Sequence, residues 1–231
     1  MPPWLQLMLD SLAPLLWAAL VFTIPLTLAS FALGLALGLL TAVVRLFGPR
    51  PFSDIARFYV WVIRGTPLLV QLFVIYHGLP QFGFIRQSVL WPILREPYWC
   101  SVIALSLNTA AYVSEILRGG VLGVDKGLIE AGKALGLSKF QRTTRITAPL
   151  AVRLALPAYS NEIVSMLKST ALASTVTLME MTGVARTIVA DTFAPYEIFI
   201  AATIIYLVLV WIIQTGFTLI ETYANRHVRK T

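Results

Sequence analysis

Apolar positions along the chain come in long blocks rather than short amphipathic periods. Cutting the sequence at its charged residues leaves uncharged runs at 11–44, 97–114 and 198–220, with shorter ones at 154–161, 163–167 and 169–179. The longer runs reach the roughly 17–25 residues that a helix needs to cross a bilayer. The pattern predicts five membrane helices at about 15–44, 58–79, 98–117, 150–173 and 198–220. The first is long for one crossing and holds Pro14 and Pro25, so part of it bends or lies at the interface. Its Gly34 and Gly38 form a small-xxx-small pair, a spacing that lets another helix approach closely. Between the third and fourth spans lies a polar stretch, 118–149, that reads as a short helix, a break at Gly136 and a second, basic helix.

Composition narrows the class. Hydrophobic residues make up 58% of the chain and charged ones 13%, far below the roughly 25% charged content of soluble domains. The loops left over are too short for a separate catalytic or nucleotide-binding domain, so the expectation is one all-α integral membrane unit over residues 1–231. The net charge of +7 could suggest nucleic acid, but the basic residues are scattered between apolar runs and fit a positive-inside bias better. With five spans and the C-terminus inside, thirteen Lys or Arg fall on the inner side, while Arg86, Arg95 and Arg186 fall outside. The N-terminus is then expected outside the cell, and with no Lys or Arg before Arg45 it lacks the basic region of a cleaved signal peptide. Cys100 is the sole cysteine, which excludes an intrachain disulfide.

Polar residues inside the spans are the candidate chemistry. Asn161, Glu162, Ser165, Lys168 and Ser169 interrupt the fourth span and fall on one arc of about 120° at 100° per residue. Intramembrane charges cost on the order of 2.5–3.5 kcal/mol each on insertion scales, so Glu162 and Lys168 should face a cavity or a partner. A carboxylate, a cation and hydroxyls suit an amino acid substrate, with Glu162 receiving a cationic group. The competing reading is that Glu162 and Lys168 pair with each other or with a partner subunit and only lock the bundle. Arg64, in the sequence Arg64-Gly65-Thr66-Pro67, contacts a carboxylate or gates the path, or else sits at an interface beside a kink. Glu115 and Arg118 have the spacing of a helical ion pair, and Asn108 is placed to hold helices together. His77 and His227 have no neighbours at metal-ligand spacing, so no metal site is expected. Gly127 to Ala134 imitates a phosphate-binding loop, but Ala134 replaces the required Ser or Thr and no strand precedes it.

Residues 130–149 read EAGKALGLSKFQRTTRITAP. They resemble the E-A-A-x3-G-x9-I-x-L-P signature of ABC importer permeases, with Glu130, Ala131, Gly136, Ile146 and Pro149 at matching positions and Gly132 and Ala148 departing from it. Arg64 to Gln71, Asn108 to Gly120 and Leu156 to Glu162 are similar to segments of the polar amino acid subfamily, most like the M-type subunit of histidine, basic amino acid and opine importers. The resemblance implies a type I importer fold in the bacterial inner membrane, with the signature as a coupling helix docked on a separate ATPase subunit. It further implies two ATP-binding subunits carrying ATP and Mg, a second Q-type permease, a periplasmic substrate-binding protein, and no cofactor on this chain. The external stretches 82–97 and 183–196 would receive the binding protein. The rival reading is a secondary transporter or channel in which Glu162 or Lys168 couples to an ion, and a more distant one is an intramembrane enzyme or assembly factor.

Overall fold

The computed structural model describes residues 2–224, and all regular elements among them are helical. Helix α1 (Pro3–Phe47) is followed by α2 (Arg50–Gly65) and α3 (Leu68–Gln81), which meet at a bend of 108°. Helix α4 (Pro97–Leu122) leads through α5 (Lys126–Ala134) into α6, which joins Lys139–Arg142, Thr143–Thr147 and Ala148–Ser169. Helices α7 (Met181–Thr192) and α8 (Pro195–Ala224) complete the bundle.

Three π-helical turns, Ala19–Thr23, Val74–Gly78 and Thr143–Thr147, each end two residues before a proline: Pro25, Pro80 and Pro149. The reason is steric. A proline ring clashes with the carbonyl four residues earlier and offers no N–H to it. Widening the preceding turn by one residue relieves the clash without ending the helix. Thus α1 continues for 45 residues, about 68 Å at 1.5 Å per residue, well beyond the predicted 15–44 and longer than a bilayer is thick.

By length and apolarity α1, α4 and α8 could each cross a membrane alone, and the bent pair α2–α3 could do so together. Helix α6 covers most of the predicted span 150–173 but is too polar to qualify, being interrupted by Arg153, Glu162 and Lys168. Its helix starts earlier, at residue 139, and gives way at Thr170–Val176 to a 3-10 segment. The polar stretch expected at 118–149 is correspondingly shorter, because α4 runs on to Leu122. The second predicted span, 58–79, is broken rather than straight, and the expected external stretch 183–196 is largely helix α7. That helix buries Met181 and Ala185 against Leu15 of α1 and Ile198 of α8, leaving Phe193 and Tyr196 exposed. The basic tail holding Arg226, His227, Arg229 and Lys230 lies outside the described residues.

Helix α4 is the central element, with two thirds of its apolar stretch buried, against about a fifth for α8. Its closest neighbour is α1, and Gly34 and Gly38 explain the approach. A Cβ built on Gly34 would lie 2.8 Å from Thr109 Cγ2, and one on Gly38 would lie 2.5 Å from Val113 Cγ1 and 3.0 Å from the Ala110 carbonyl. Helix α6 approaches the other end of α4 at Gly120, where a Cβ would stand 2.6 Å from the Ala151 carbonyl. Replacing Gly38 by Val should therefore cost about 1–3 kcal/mol through overpacking. Gly216→Ala, facing open space, should be neutral or stabilising; thermal unfolding of both variants in detergent checks the contrast.

Candidate functional site

The break between α2 and α3 begins with Thr66, whose extended backbone (φ −119°, ψ 147°) is what a residue preceding proline prefers. Breaking a helix frees carbonyls that, in an apolar layer, have no water to accept from. Gln71 resolves this. Its Nε2 lies 2.8 Å from the Ile63 carbonyl, 3.1 Å from the Thr66 carbonyl and 2.9 Å from Thr66 Oγ1. Its Oε1 accepts from Asn108 Nδ2 of α4 at 3.0 Å. One side chain thus closes the break and ties it to the central helix, the helix-holding role expected of Asn108.

Beside this latch lies a cavity of about 310 Å3, walled by Thr66 and Pro67 of the break, Asn108, Thr109 and Tyr112 of α4, and Glu162 of α6. Thr109 Oγ1 donates to Glu162 Oε1 at 2.8 Å. Glu162 forms no ion pair with Lys168 or any other described residue, so the two do not lock the bundle by pairing with each other. Ser165 and Ser169 line the same cavity.

Asn161 and Lys168 do not join Glu162. They open onto a separate recess of about 430 Å3 with Gln214 of α8, which Ser165 and Ser169 also border. An arc of about 120° is too wide to face one cleft. Glu162 and Ser169 occupy the edge toward α4, Asn161 and Lys168 the edge toward α8, and Ser165 sits between. Arg64 is in neither space. Its guanidinium carbon stands 5.2 Å from the centroid of the Tyr112 ring, in a third recess of about 420 Å3 that also contains Arg45, Arg57 and Glu115.

The expected Glu115–Arg118 pair is present and is part of a larger set. Arg45 reaches Glu115 at 2.9 Å and Ser114 Oγ at 2.9 Å, with its side chain only 10% exposed. The pair joins the end of α1 to α4, and removing either partner would leave a shielded charge uncompensated.

The polar stretch forms a compact elbow. Asp125 caps α5 by accepting from Gly127 N at 2.7 Å, so Gly127 to Ala134, the phosphate-loop look-alike, is ordinary helix. Gly136 ends it in the left-handed conformation at φ 76°, with Gly136 N bonded to the Lys133 carbonyl and Leu137 N to the Gly132 carbonyl, each at 3.0 Å. This is the paired closure that favours glycine. Ser138 and Gln141 then cap the next helix reciprocally. Glu130 and Ala131 are exposed on α5, and Ile146 packs inward against Gly132, where a Cβ would lie 2.8 Å from Ile146 Cδ1. Pro149 begins the straight part of α6 after the π turn.

Glu180 is a polar residue that the sequence reading missed. It is fully buried and caps α7, accepting from Gly183 N at 2.8 Å and Thr182 N at 3.0 Å. Tyr206 Oη of α8 is 3.3 Å away. Glutamate is not among the usual capping residues, and a single charge between Met179 and Met181 gave no pattern to read. His77 makes ring contacts with Tyr76 and Phe73, and among the described residues no group of His, Cys, Asp or Glu could hold a metal.

Replacing Gln71 by Leu should remove its bonds to the Ile63 carbonyl and to Asn108, both part-buried, and cost about 1 kcal/mol. A lowered unfolding temperature for Gln71→Leu, with Gln81→Leu unchanged, would bear this out.

Residues 34–230 match the family described as binding-protein-dependent transport system inner membrane component. The chain is similar to the nopaline transport system permease protein NocM of Agrobacterium fabrum, at 45% identity over 97% of this chain and 93% of that protein. It is similar to the octopine transport system permease protein OccM of Rhizobium meliloti, at 47% identity over 94% of this chain and 88% of that one. Among solved structures it resembles a chain of an amino acid ABC transporter crystallised with histidines, with a TM-score of 0.85 and 32% identity over 96% of this chain and 99% of that one.

Proposed function

The chain belongs to the inner membrane component family of binding-protein-dependent transport systems, and from that membership we propose that it carries cationic amino acids or opines through the Glu162 cavity. It is a permease subunit of an ABC importer, ATP hydrolysis residing in a separate subunit, and this displaces the readings as secondary transporter, channel or enzyme. The observation that carries the substrate class is Glu162, a carboxylate partly shielded from water, held by Thr109 and in no ion pair with a described cation, although the charge of Arg64 still reaches it. A solute guanidinium or ammonium group would supply the missing charge and recover part of the cost of keeping a carboxylate there. Ser165, Ser169 and Asn108 offer hydrogen bonds around it. Asn161 and Lys168, in the recess toward α8, would line the path beside it or meet a second permease.

In this reading five crossings, α6 included, place the N-terminus in the periplasm and the C-terminus in the cytoplasm. Of two copies of an ATP-binding subunit, each binding ATP and Mg, one docks on the elbow at Glu130, Ala131, Gly136, Ile146 and Pro149 and the other on the equivalent element of the second permease. A second, Q-type permease completes the core, and a periplasmic binding protein delivers the solute near 82–97 and Phe193. ATP binding draws the two docked subunits together. The elbow passes that motion to α4 and α6, the two helices that hold Thr109 and Glu162, so movement there opens or closes the cavity. Hydrolysis resets it. The continuity of α5, its closure at Gly136 and α6 supports the elbow as the moving part.

Two experiments test the proposal in the complex reconstituted with its partners. Glu162→Gln should raise KM for lysine, arginine, histidine and opine uptake by about tenfold or more, equivalent to losing one charge-assisted contact, with assembly unchanged. Kinetics unchanged from wild type for all four would remove Glu162 from the site. Gly136→Val forces a branched side chain into φ 76°, at a local cost of about 1–2 kcal/mol. Solute-stimulated ATPase activity should fall while the complex still assembles; full stimulation would exclude the elbow as the coupling element.

A further inference from the structure

Tyr112 lines two spaces. One is the Glu162 cavity; the other is the recess of about 420 Å3 that contains Arg45, Arg57, Arg64 and Glu115. The charges in the second space do not balance. Glu115 is already taken by Arg45 at 2.9 Å and by Arg118. Arg57 is engaged by Asp54 at 3.2 Å and by Ser53 Oγ at 3.0 Å. Arg64 has no ion pair among the described residues and rests on the Tyr112 ring. Arg45, with its side chain nine-tenths buried, keeps a buried Nε that has no acceptor among the described residues. The wall therefore has surplus donors and no acceptor to spare.

The geometry of Arg64 narrows what could balance them. A guanidinium over an aromatic face is attracted by the ring, yet the ring does not replace the acceptors that its N–H groups seek, and none of the described residues pairs with them. A planar fork of donors suits a carboxylate, which can accept two parallel hydrogen bonds. We propose that Arg64, set over the Tyr112 ring in the recess it shares with Arg45 and Arg57, is a carboxylate subsite that works together with Glu162. Resting on the cationic-substrate reading above, the subsite extends it. The solute's cationic end goes to Glu162 and its carboxylate end to Arg64, with Tyr112 between them. The transported class is then cationic amino acids and their carboxyl-bearing derivatives, and simple guanidines or diamines of the same length are disfavoured.

The test is equilibrium binding of radiolabelled arginine and of agmatine, the same guanidinium chain without a carboxylate, to the assembled complex in nanodiscs. The wild-type complex should favour arginine by about tenfold or more. Arg64→Gln should weaken arginine by a similar factor and leave agmatine within about twofold, so that the preference disappears. Arg64→Lys, which keeps the charge but not the fork, should fall between them, and Glu162→Gln should weaken both ligands. Arg64→Gln that weakens both equally, or neither, overturns the subsite while leaving the Glu162 reading standing. So does an effect of Arg64→Gln that is present with phosphatidylglycerol and absent in phosphatidylcholine alone, since the anion would then be a lipid phosphate. A wild-type complex that binds neither compound and shows no ATPase stimulation by any cationic amino acid overturns the cationic-substrate reading, and the subsite with it.

Discussion

An interrupted helix in an apolar layer must find partners for the backbone groups it frees, and that requirement organises the centre of this protein. The bend at Gly65–Pro67 turns α2 into α3 by 108° and so opens the space that the cavity occupies. Such a bend is favoured where something satisfies the Ile63 and Thr66 carbonyls, from the protein or from the cavity that Thr66 lines. Gln71 does so from one turn beyond the break and spends its remaining oxygen on Asn108. Thr66, Pro67 and Asn108, which wall the cavity, are therefore held by the bonds that make the bend tolerable.

The same economy holds the bundle together. Two glycines let α1 and α4 touch backbone to side chain, and Arg45 fastens their ends through Glu115. Further along, toward its C-terminal end, α4 meets α6 at Gly120, close to the elbow. A displacement of the elbow therefore reaches α4 and α6 through close-packed contacts with little room to absorb it.

Much of this was legible in the sequence where the signal was a residue with few alternatives. Gly34 and Gly38 announced a close helix contact, Gly136 announced a corner, and Glu115 with Arg118 announced a pair. Less legible were neutral polar residues inside apolar runs. Dividing the chain at its charges hides Gln71 and Thr109, although these shape the break and hold Glu162. The polar arc of α6 was visible, but periodicity gives a direction from the helix axis and not the neighbour that lies there, so it merged the Glu162 cavity with the Lys168 recess. Arg64 was separated from both by Tyr112, a residue whose partner 48 positions earlier no local pattern reveals. Helix lengths were misjudged at prolines, since a π turn carries the helix past a residue that ordinarily ends it.

That tolerance has a mechanical side. A π turn holds one surplus residue, and in a uniform helix such a surplus can wander from turn to turn, letting one end rotate without the other following. Pro149 pins the surplus at Thr143–Thr147, because only the turn before the ring gains from being wide. Pro149 thus fixes where the wide turn sits at the foot of α6, and Pro157 removes one more backbone donor from the same helix before Glu162 is reached.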